Sequence, residues 1–318
     1  MRSVVRALSL LAAPLHVHLL KALEPGPLGL SELHRAVGSP PQSTLRVYLR
    51  TLTELGVVQR RQQLQFPGAV DYELTRSGEK LLAVGEVLQR WLSEAPGGPI
   101  LLGSTAAKST TKALVDGWSA QIVRALAARP LSLTDLSRVI NGINYPTLER
   151  RLAAMRTTGL IRHCPNRNGR AVPYEVSGWM RAAVTPVAAA ACWERRHAAD
   201  HVPAIARTDI ESVFLLAVPL LELPAEVTGS CRLSVELRKE GELDFAGVMV
   251  GVEEGKVTSC VSRLEGQPDA WATGTVFDWS RWITHHEREV DVGGDIELAE
   301  AIANGLRSTL LEREPLLD

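Results

Sequence analysis

A displacement of 103 residues lays the first third of the chain on the second. Leu20-Lys-Ala-Leu23 falls on Val123-Arg-Ala-Leu126, Pro27-Leu-Gly-Leu-Ser-Glu-Leu33 on Pro130-Leu-Ser-Leu-Thr-Asp-Leu136, Thr44-Leu45 on Thr147-Leu148, and Gly56-Val-Val58 on Gly159-Leu-Ile161. After a one-residue slip, Val70-Asp-Tyr-Glu-Leu-Thr75 meets Val172-Pro-Tyr-Glu-Val-Ser177, and Trp91 meets Trp193. Matches in constant order over about 80 residues are the signature of duplication, so the fold has to contain one supersecondary unit twice.

Each copy reads as helix, helix, helix, two-stranded hairpin, helix. Ser31 is a good N-cap for a short helix through Val37, and Gly38-Ser39-Pro40-Pro41 is a turn. In the next helix Leu45, Leu49 and Leu52 recur at i, i+4, i+7, one buried stripe. Gln42, Ser43, Thr44, Arg46, Val47 and Arg50 are left on its outer face. The second copy repeats the stripe with Leu148, Leu152 and Met155 and leaves Asn144, Tyr145, Thr147, Arg150 and Arg151 outside. Pro41 and Pro146 are expected in the first turn, where the missing N–H costs nothing. The hairpins are expected to carry polar tips at Arg60-Arg61-Gln62-Gln63 and at 165–170, the latter with Arg167 and Arg170. Two helices joined by a tight turn and followed by a basic hairpin make a winged helix-turn-helix: a helix fits the major groove, while arginines on the wing reach phosphates alongside.

The segment from Gly117-Trp118 through Leu133-Thr-Asp-Leu136, Thr147-Leu148, Gly159-Leu-Ile-Arg162 and Pro173-Tyr-Glu-Val-Ser177 to Trp193 resembles the HxlR-type winged-helix regulators of bacteria, and the first copy is similar but more diverged. The resemblance covers residues 1–197 and implies double-stranded DNA as partner and transcriptional control, usually by a dimer joined through terminal helices. With two copies in one chain, the 81–91 and 180–193 helices allow a monomeric pseudo-dimer as well as a homodimer. A cysteine that some relatives carry before the Gly-Trp pair is absent, where Lys112-Ala-Leu-Val115 stands. Glu149 aligns with Arg46 and repels phosphate, so the two reading helices are not equivalent. Winged helices also serve as protein-docking modules, which is the competing interpretation of the basic face.

Charge separates the rest of the chain from this pair. Residues 1–200 hold 25 basic and 14 acidic side chains, net +11, and residues 201–318 hold 10 and 22, net −12. A basic half suits a polyanion, and an acidic half suits a module that does not touch it. From about residue 203 the period becomes strand-like: Cys231, Leu233, Val235 and Leu237 alternate, 245–252 is β-branched and Gly-rich, and Glu253-Glu-Gly-Lys256 is a turn. Gly293-Gly294-Asp295 is expected to start a helix with Asp295 as N-cap. Pro268-Asp-Ala-Trp-Ala-Thr-Gly274, Asp278-Trp279 and Val292-Gly-Gly-Asp-Ile-Glu-Leu-Ala299 are similar to the sterol-carrier-protein fold over residues 208–312, which implies a domain that holds apolar molecules. Phe245, Trp271, Phe277, Trp279 and Trp282 then become candidates to line a cavity for a small apolar effector, against the plainer reading that they fill a core. The expected architecture is mostly α with β wings (winged helices at 1–97 and 98–202), followed by an α+β domain at 203–318.

With 45% hydrophobic and 22% charged residues, the composition is that of a folded globular chain. No apolar run approaches the roughly 18 residues of a membrane span, and Pro219 and Pro186 interrupt the longest; the chain reads as cytoplasmic. Four cysteines at wide spacing give neither a zinc motif nor a disulfide framework. No phosphate-binding glycine loop or nucleophile elbow occurs. His197/His201 and His285-His286 are weak candidates for a metal, and no carboxylates pair as acid and base, so neither metal, cofactor nor enzymatic activity is expected. A sequestering or resistance protein built around the aromatic domain is the alternative function, and an enzyme acting on DNA bases is a third.

Overall fold

Buried leucines at helical spacing build the first copy. The computed structural model describes residues 5–62, 70–115, 117–140, 142–164, 172–197, 207–239, 242–285 and 290–311. Its first elements are α1 (Val5–Leu11), α2 (Pro14–Leu23), β1 (Leu28–Gly29), α3 (Leu30–Ala36), α4 (Gln42–Glu54), β2 (Val58–Gln62), β3 (Val70–Leu74) and α5 (Arg76–Ser93). Leu19, Leu20, Leu33, Leu45, Leu49, Leu52, Leu81 and Leu88 are fully buried, each worth about 1.5–3 kcal/mol of apolar transfer. The strands form a small antiparallel sheet in the order β1-β3-β2. The turn into α4 uses φ of +84° at Gly38 and +53° at Ser39. His34 Nε2 ties it down by donating to the Pro40 carbonyl at 2.9 Å. Pro41 stands one residue earlier than expected: it is the N-cap of α4, with ψ of 132°. Arg60, Arg61 and Gln62 are likewise strand residues of β2, with Arg60 opposite Tyr72 and Arg61 opposite Asp71, instead of a hairpin tip. The alternation that pairs Val58 with Leu74 carries the strand through them; Gln63 lies outside the described residues.

The next elements are α6 (Thr105–Val115), α7 (Gly117–Ala128), α8 (Leu133–Val139), α9 (Tyr145–Thr157), β4 (Ile161–His163), β5 (Tyr174–Val176), α10 (Gly178–Ala182) and α11 (Val184–His197). Hydrogen bonds recur at the displacement read from the sequence. Leu28 pairs with Tyr72, and Leu131 bridges Tyr174. Thr75 N donates to Val57 O at 3.1 Å, and Ser177 N to Leu160 O at 3.0 Å. The Thr75 hydroxyl caps α5 at Gly78 N, and the Ser177 hydroxyl caps α10 at Met180 N. The copies part where α5 runs unbroken for 18 residues but its counterpart stops at Ala183. Pro186 accounts for the break, since it cannot donate to the Ala182 carbonyl and its ring crowds that position.

The remaining elements are α12 (Arg207–Ala217), β6 (Gly229–Lys239), β7 (Glu242–Glu253), β8 (Lys256–Val261), β9 (Ala270–Thr275), α13 (Val276–His285), β10 (Asp291–Gly294) and α14 (Ile296–Leu311). The five strands lie in the order β10-β9-β6-β7-β8, with β6 and β9 parallel and the other pairs antiparallel. Glu254 and Gly255 turn the β7–β8 hairpin with φ of +49° and +73°, the left-handed pair that a two-residue hairpin loop requires. Cys231, Leu233 and Val235 of β6 are buried, and Leu237 is half-buried. Gly293 and Gly294 belong to β10 and not to a helix start, because both pair with β9. Asp295 is the N-cap of α14, accepting from Leu298 N at 3.1 Å. The sequence reading passed over α12, which ends where Pro219 forces a single 3-10 turn, Val218–Leu220.

Two compact units divide the chain differently from its three sequence segments. One comprises residues 2–115 with 186–203, so it holds the whole first copy together with α6 and most of α11. The other comprises residues 116–185 with 204–318, so it holds α7 to α10 and the five-stranded sheet. No helix among the described residues is long and apolar enough to cross a membrane.

Candidate nucleic-acid interface

The outer face of α4 carries two exposed arginines, Arg46 and Arg50, among small polar residues. Gln42, Ser43, Thr44, Arg46, Val47 and Arg50 are all exposed, and Val47, an apolar side chain, keeps 49% of its surface in solvent. Beneath them Leu45, Leu49 and Leu52 anchor the helix, so the outer residues are free of any part in the core. A groove of about 570 Å³ between α4 and the wing brings Arg46, Arg50 and Arg60 together, with Leu30 and Tyr72 in its wall. Arg50 lies 3.9 Å from Glu54, and Arg61 lies 3.5 Å from Glu73. Such exposed pairs are worth about 1 kcal/mol or less and exchange readily for a phosphate. Gln59 holds Glu73 from the other side, its amide donating at 2.7 Å.

The corresponding surface on α9 is chemically different. Tyr145, Glu149 and Arg150 are exposed, whereas Thr147 and Arg151 are half-buried. Asn144 spends its side-chain oxygen as N-cap, accepting from Thr147 N at 2.9 Å. Arg162 on β4 is paired with Glu175 at 2.7 Å, the counterpart of the Glu73 cluster. Arg167 and Arg170 lie outside the described residues. Of the residues singled out from the sequence, Arg46, Arg50 and Arg60 of the first copy line one groove, while Gln42, Ser43, Thr44, Val47 and Arg61 lie outside its lining and α9 carries Glu149 beside Arg150 and Arg151.

The aromatic candidates of the acidic half fall into separate places. Trp279 and Trp282 are buried with ring centroids 5.5 Å apart, and Trp279 meets Phe214 of α12 edge-on at 5.3 Å. The Trp279 indole N–H donates to the Ser234 carbonyl at 2.9 Å. Trp271 is half-buried on β9 against Gly293, where a Cβ would come within 2.5 Å of the indole. Phe245 and Phe277 are exposed, the latter beneath the Arg281 guanidinium at 5.6 Å. Phe214, which joins the tryptophans, lies in the helix that the sequence reading missed.

Four further buried groups carry electrostatic consequences. His16 of α2 is buried with Nδ1 3.2 Å from the Leu10 carbonyl and its ring 4.7 Å from that of Tyr48 on α4. Burial lowers its pKa below the ordinary value, against a smaller opposing effect of the Leu10 carbonyl. Glu194 of α11 is buried and accepts from Ala7 N at 2.9 Å; burial raises its pKa, and the hydrogen bonds from the α1 backbone offset part of that. Burial pushes the thiols of Cys231 and Cys260 up to about 12, which leaves them protonated and inert. Among the described residues no three His, Cys, Asp or Glu side chains gather as a metal site; His201 and His286 fall outside them.

HxlR-like helix-turn-helix proteins match residues 15–96, the first copy, whereas the resemblance read from the sequence rests on the second and takes the first as more diverged. Two solved structures are similar over 28% of the chain: diamide-treated YodB from B. subtilis, at 28% identity over 87% of that chain with a TM-score of 0.27, and a protein from Enterococcus faecalis V583 described as a transcriptional regulator of the MarR family, at 30% identity over 82% of that chain with a TM-score of 0.27. No curated protein matches. Residues 15–96, which contain the α3–α4 pair and its wing, are an HxlR-like helix-turn-helix domain.

Proposed function

We propose that this chain is a transcriptional regulator that binds double-stranded DNA through two winged helices on one polypeptide, and that its C-terminal domain, of sterol-carrier type, answers to a small apolar molecule. The observation that carries the DNA reading is the convergence of Arg46, Arg50 and Arg60 on one groove beside the exposed face of α4 in an HxlR-like domain. Arginines on such a face make the bidentate contacts to guanine that the major groove allows, and the wing arginines add phosphate contacts. The tandem arrangement is supported by hydrogen bonds repeated from copy to copy. A pseudo-dimer within one chain is supported by the unit that packs α1 with α6. In that unit Trp193 Nε1 of α11 donates to Ser77 O at 2.8 Å, and Glu194 accepts from Ala7 N. On this reading the domains are 1–97, 98–202 and 203–318, the chain is cytoplasmic and not an enzyme, and α9, with Glu149 where α4 has Arg46, reads a half-site of its own or none.

A ligand shifts DNA binding only if it favours one state of the protein over another. Fluorescence anisotropy with duplex DNA from upstream of its own gene tests both halves of the proposal, with and without apolar compounds. Specific binding that changes on addition supports it. Binding that is equal for all sequences would leave a protein-docking or sequestering role for the winged helices.

A further inference from the structure

We propose that the first copy carries a small-molecule site of its own, separate from the C-terminal domain, for an apolar molecule with a single carboxylate. A cavity of about 350 Å³ lies between α2 and α5, within the range of ligand pockets. Leu11, Leu20, Leu82, Gly85 and Leu102 make its apolar wall, and Lys21, Glu24, Glu86 and Arg90 form the rim. One side is preformed by Gln89: its amide N–H donates to Ile100 O at 3.0 Å, and its carbonyl accepts from Leu102 N at 2.7 Å. Both polar ends of Gln89 are thereby engaged on the wall.

The internal repeat says what belongs there. Leu20, Lys21 and Glu24 correspond to Val123, Arg124 and Ala127 of α7. Over that stretch of the second copy lies α12: the buried Glu211 carboxylate accepts from the Arg124 guanidinium, and Arg181 donates to Leu215 O at 2.9 Å and to Ala127 O at 3.4 Å. In the second copy, then, an apolar segment presents one carboxylate to the basic residue of the helix. In the first copy the basic residue is Lys21, the walls are leucine, and the space is a cavity. An occupant with an apolar body and a carboxylate at the Lys21 end reproduces that arrangement, with Lys21 and Arg90 on the rim against Glu24 and Glu86.

Calorimetric titration of the full chain with 1-naphthoate, and with uncharged 1-naphthamide, tests the site. Naphthoate is expected to saturate one site with Kd below about 1 mM, and Lys21→Met to weaken it roughly fivefold while leaving naphthamide unchanged. Gly85→Phe and Leu82→Trp fill the cavity and are expected to abolish binding of both probes. Gly85→Ala is the tolerated control, its Cβ at ordinary contact, 3.4 Å from Leu11 and 3.6 Å from Leu102. Hydrogen exchange on the unsubstituted chain reads the place directly, as protection of α2 and α5 on naphthoate addition. No saturable binding, binding that survives both filling substitutions in folded protein, or protection confined to the C-terminal sheet overturns the site. Equal weakening of both probes by Lys21→Met overturns the carboxylate. None of these outcomes depends on DNA binding, so the site and the regulator reading fail separately.

Discussion

Arg46 and Arg50 stand on the exposed face of α4, one turn apart, with no share in the leucine stripe below. Replacing both with Ala should therefore leave the thermal unfolding midpoint unchanged and cost about 1–3 kcal/mol per lost base contact. Anisotropy on specific and scrambled duplexes reads this as lost discrimination; unchanged affinity removes α4 from the interface. Arg60→Ala and Arg61→Ala should instead weaken all sequences alike and lower the salt slope by about one per phosphate contact. These residues were legible because a basic side chain off an apolar stripe needs no tertiary knowledge to be placed outside. His16 was not, since a histidine in an apolar helix looks the same whether it faces solvent or Tyr48. Its native pKa is lowered by burial, so below about pH 6.5 the unfolded chain binds a proton that the native chain does not. Its contribution to stability is complete above that pH and falls as the pH drops toward the native value. His16→Leu should flatten the decline of the unfolding midpoint between about pH 7 and pH 5, and an unaltered decline would assign it to other groups.

At the scale of elements, what repeats was readable and what merely packs was not. The α3–α4 pair follows from the leucine periodicity and the turn residues, and the backbone bonds of Thr75 to Val57 and Ser177 to Leu160 fall where the displacement puts them. The wing strand ran further than its polar residues suggested, because on an edge strand Arg60 and Gln62 can pair their backbone while their side chains stay in water. The helix α12 left no such trace. Its apolar residues look like a short membrane-like run until Arg124, Glu211 and Arg181 are brought together, and no local pattern announces a partner 87 residues away. Arg181 holds the carbonyls of Leu215 and Ala127, so Arg181→Met leaves two acceptors unpaired in a partly buried place. A loss of about 1–3 kcal/mol in denaturant unfolding is expected, with α4 untouched. A neutral result would show that water replaces the guanidinium there.

For the molecule as a whole, the charge division and the compact units make different cuts, and a chain shortened to residues 1–197 separates their consequences. By charge it keeps a region of net +12 and loses the acidic one, so duplex affinity should rise at low salt as the repulsion of phosphate is removed, and the gain should shrink as salt screens it. By packing it keeps the unit that carries α4 up to residue 197, including α6 and the part of α11 that accepts from Ala7 and donates to Ser77. It also loses α12, which leaves Arg124 without Glu211 and uncovers the apolar side of α7. The shortened chain should accordingly bind DNA through the first copy with Arg46 and Arg50 still required, while a second, weaker unfolding transition disappears or shifts down and a surface dye reports newly exposed apolar area. Response to any apolar compound that acts through Trp271, Trp279 or Trp282 should vanish with the sheet. Loss of DNA binding in a shortened chain whose first copy remains folded would mean that the second copy, held in shape by α12, is indispensable to the complex. Binding then needs both reading helices, and Arg150→Ala in the full chain should be nearly as damaging as Arg46→Ala.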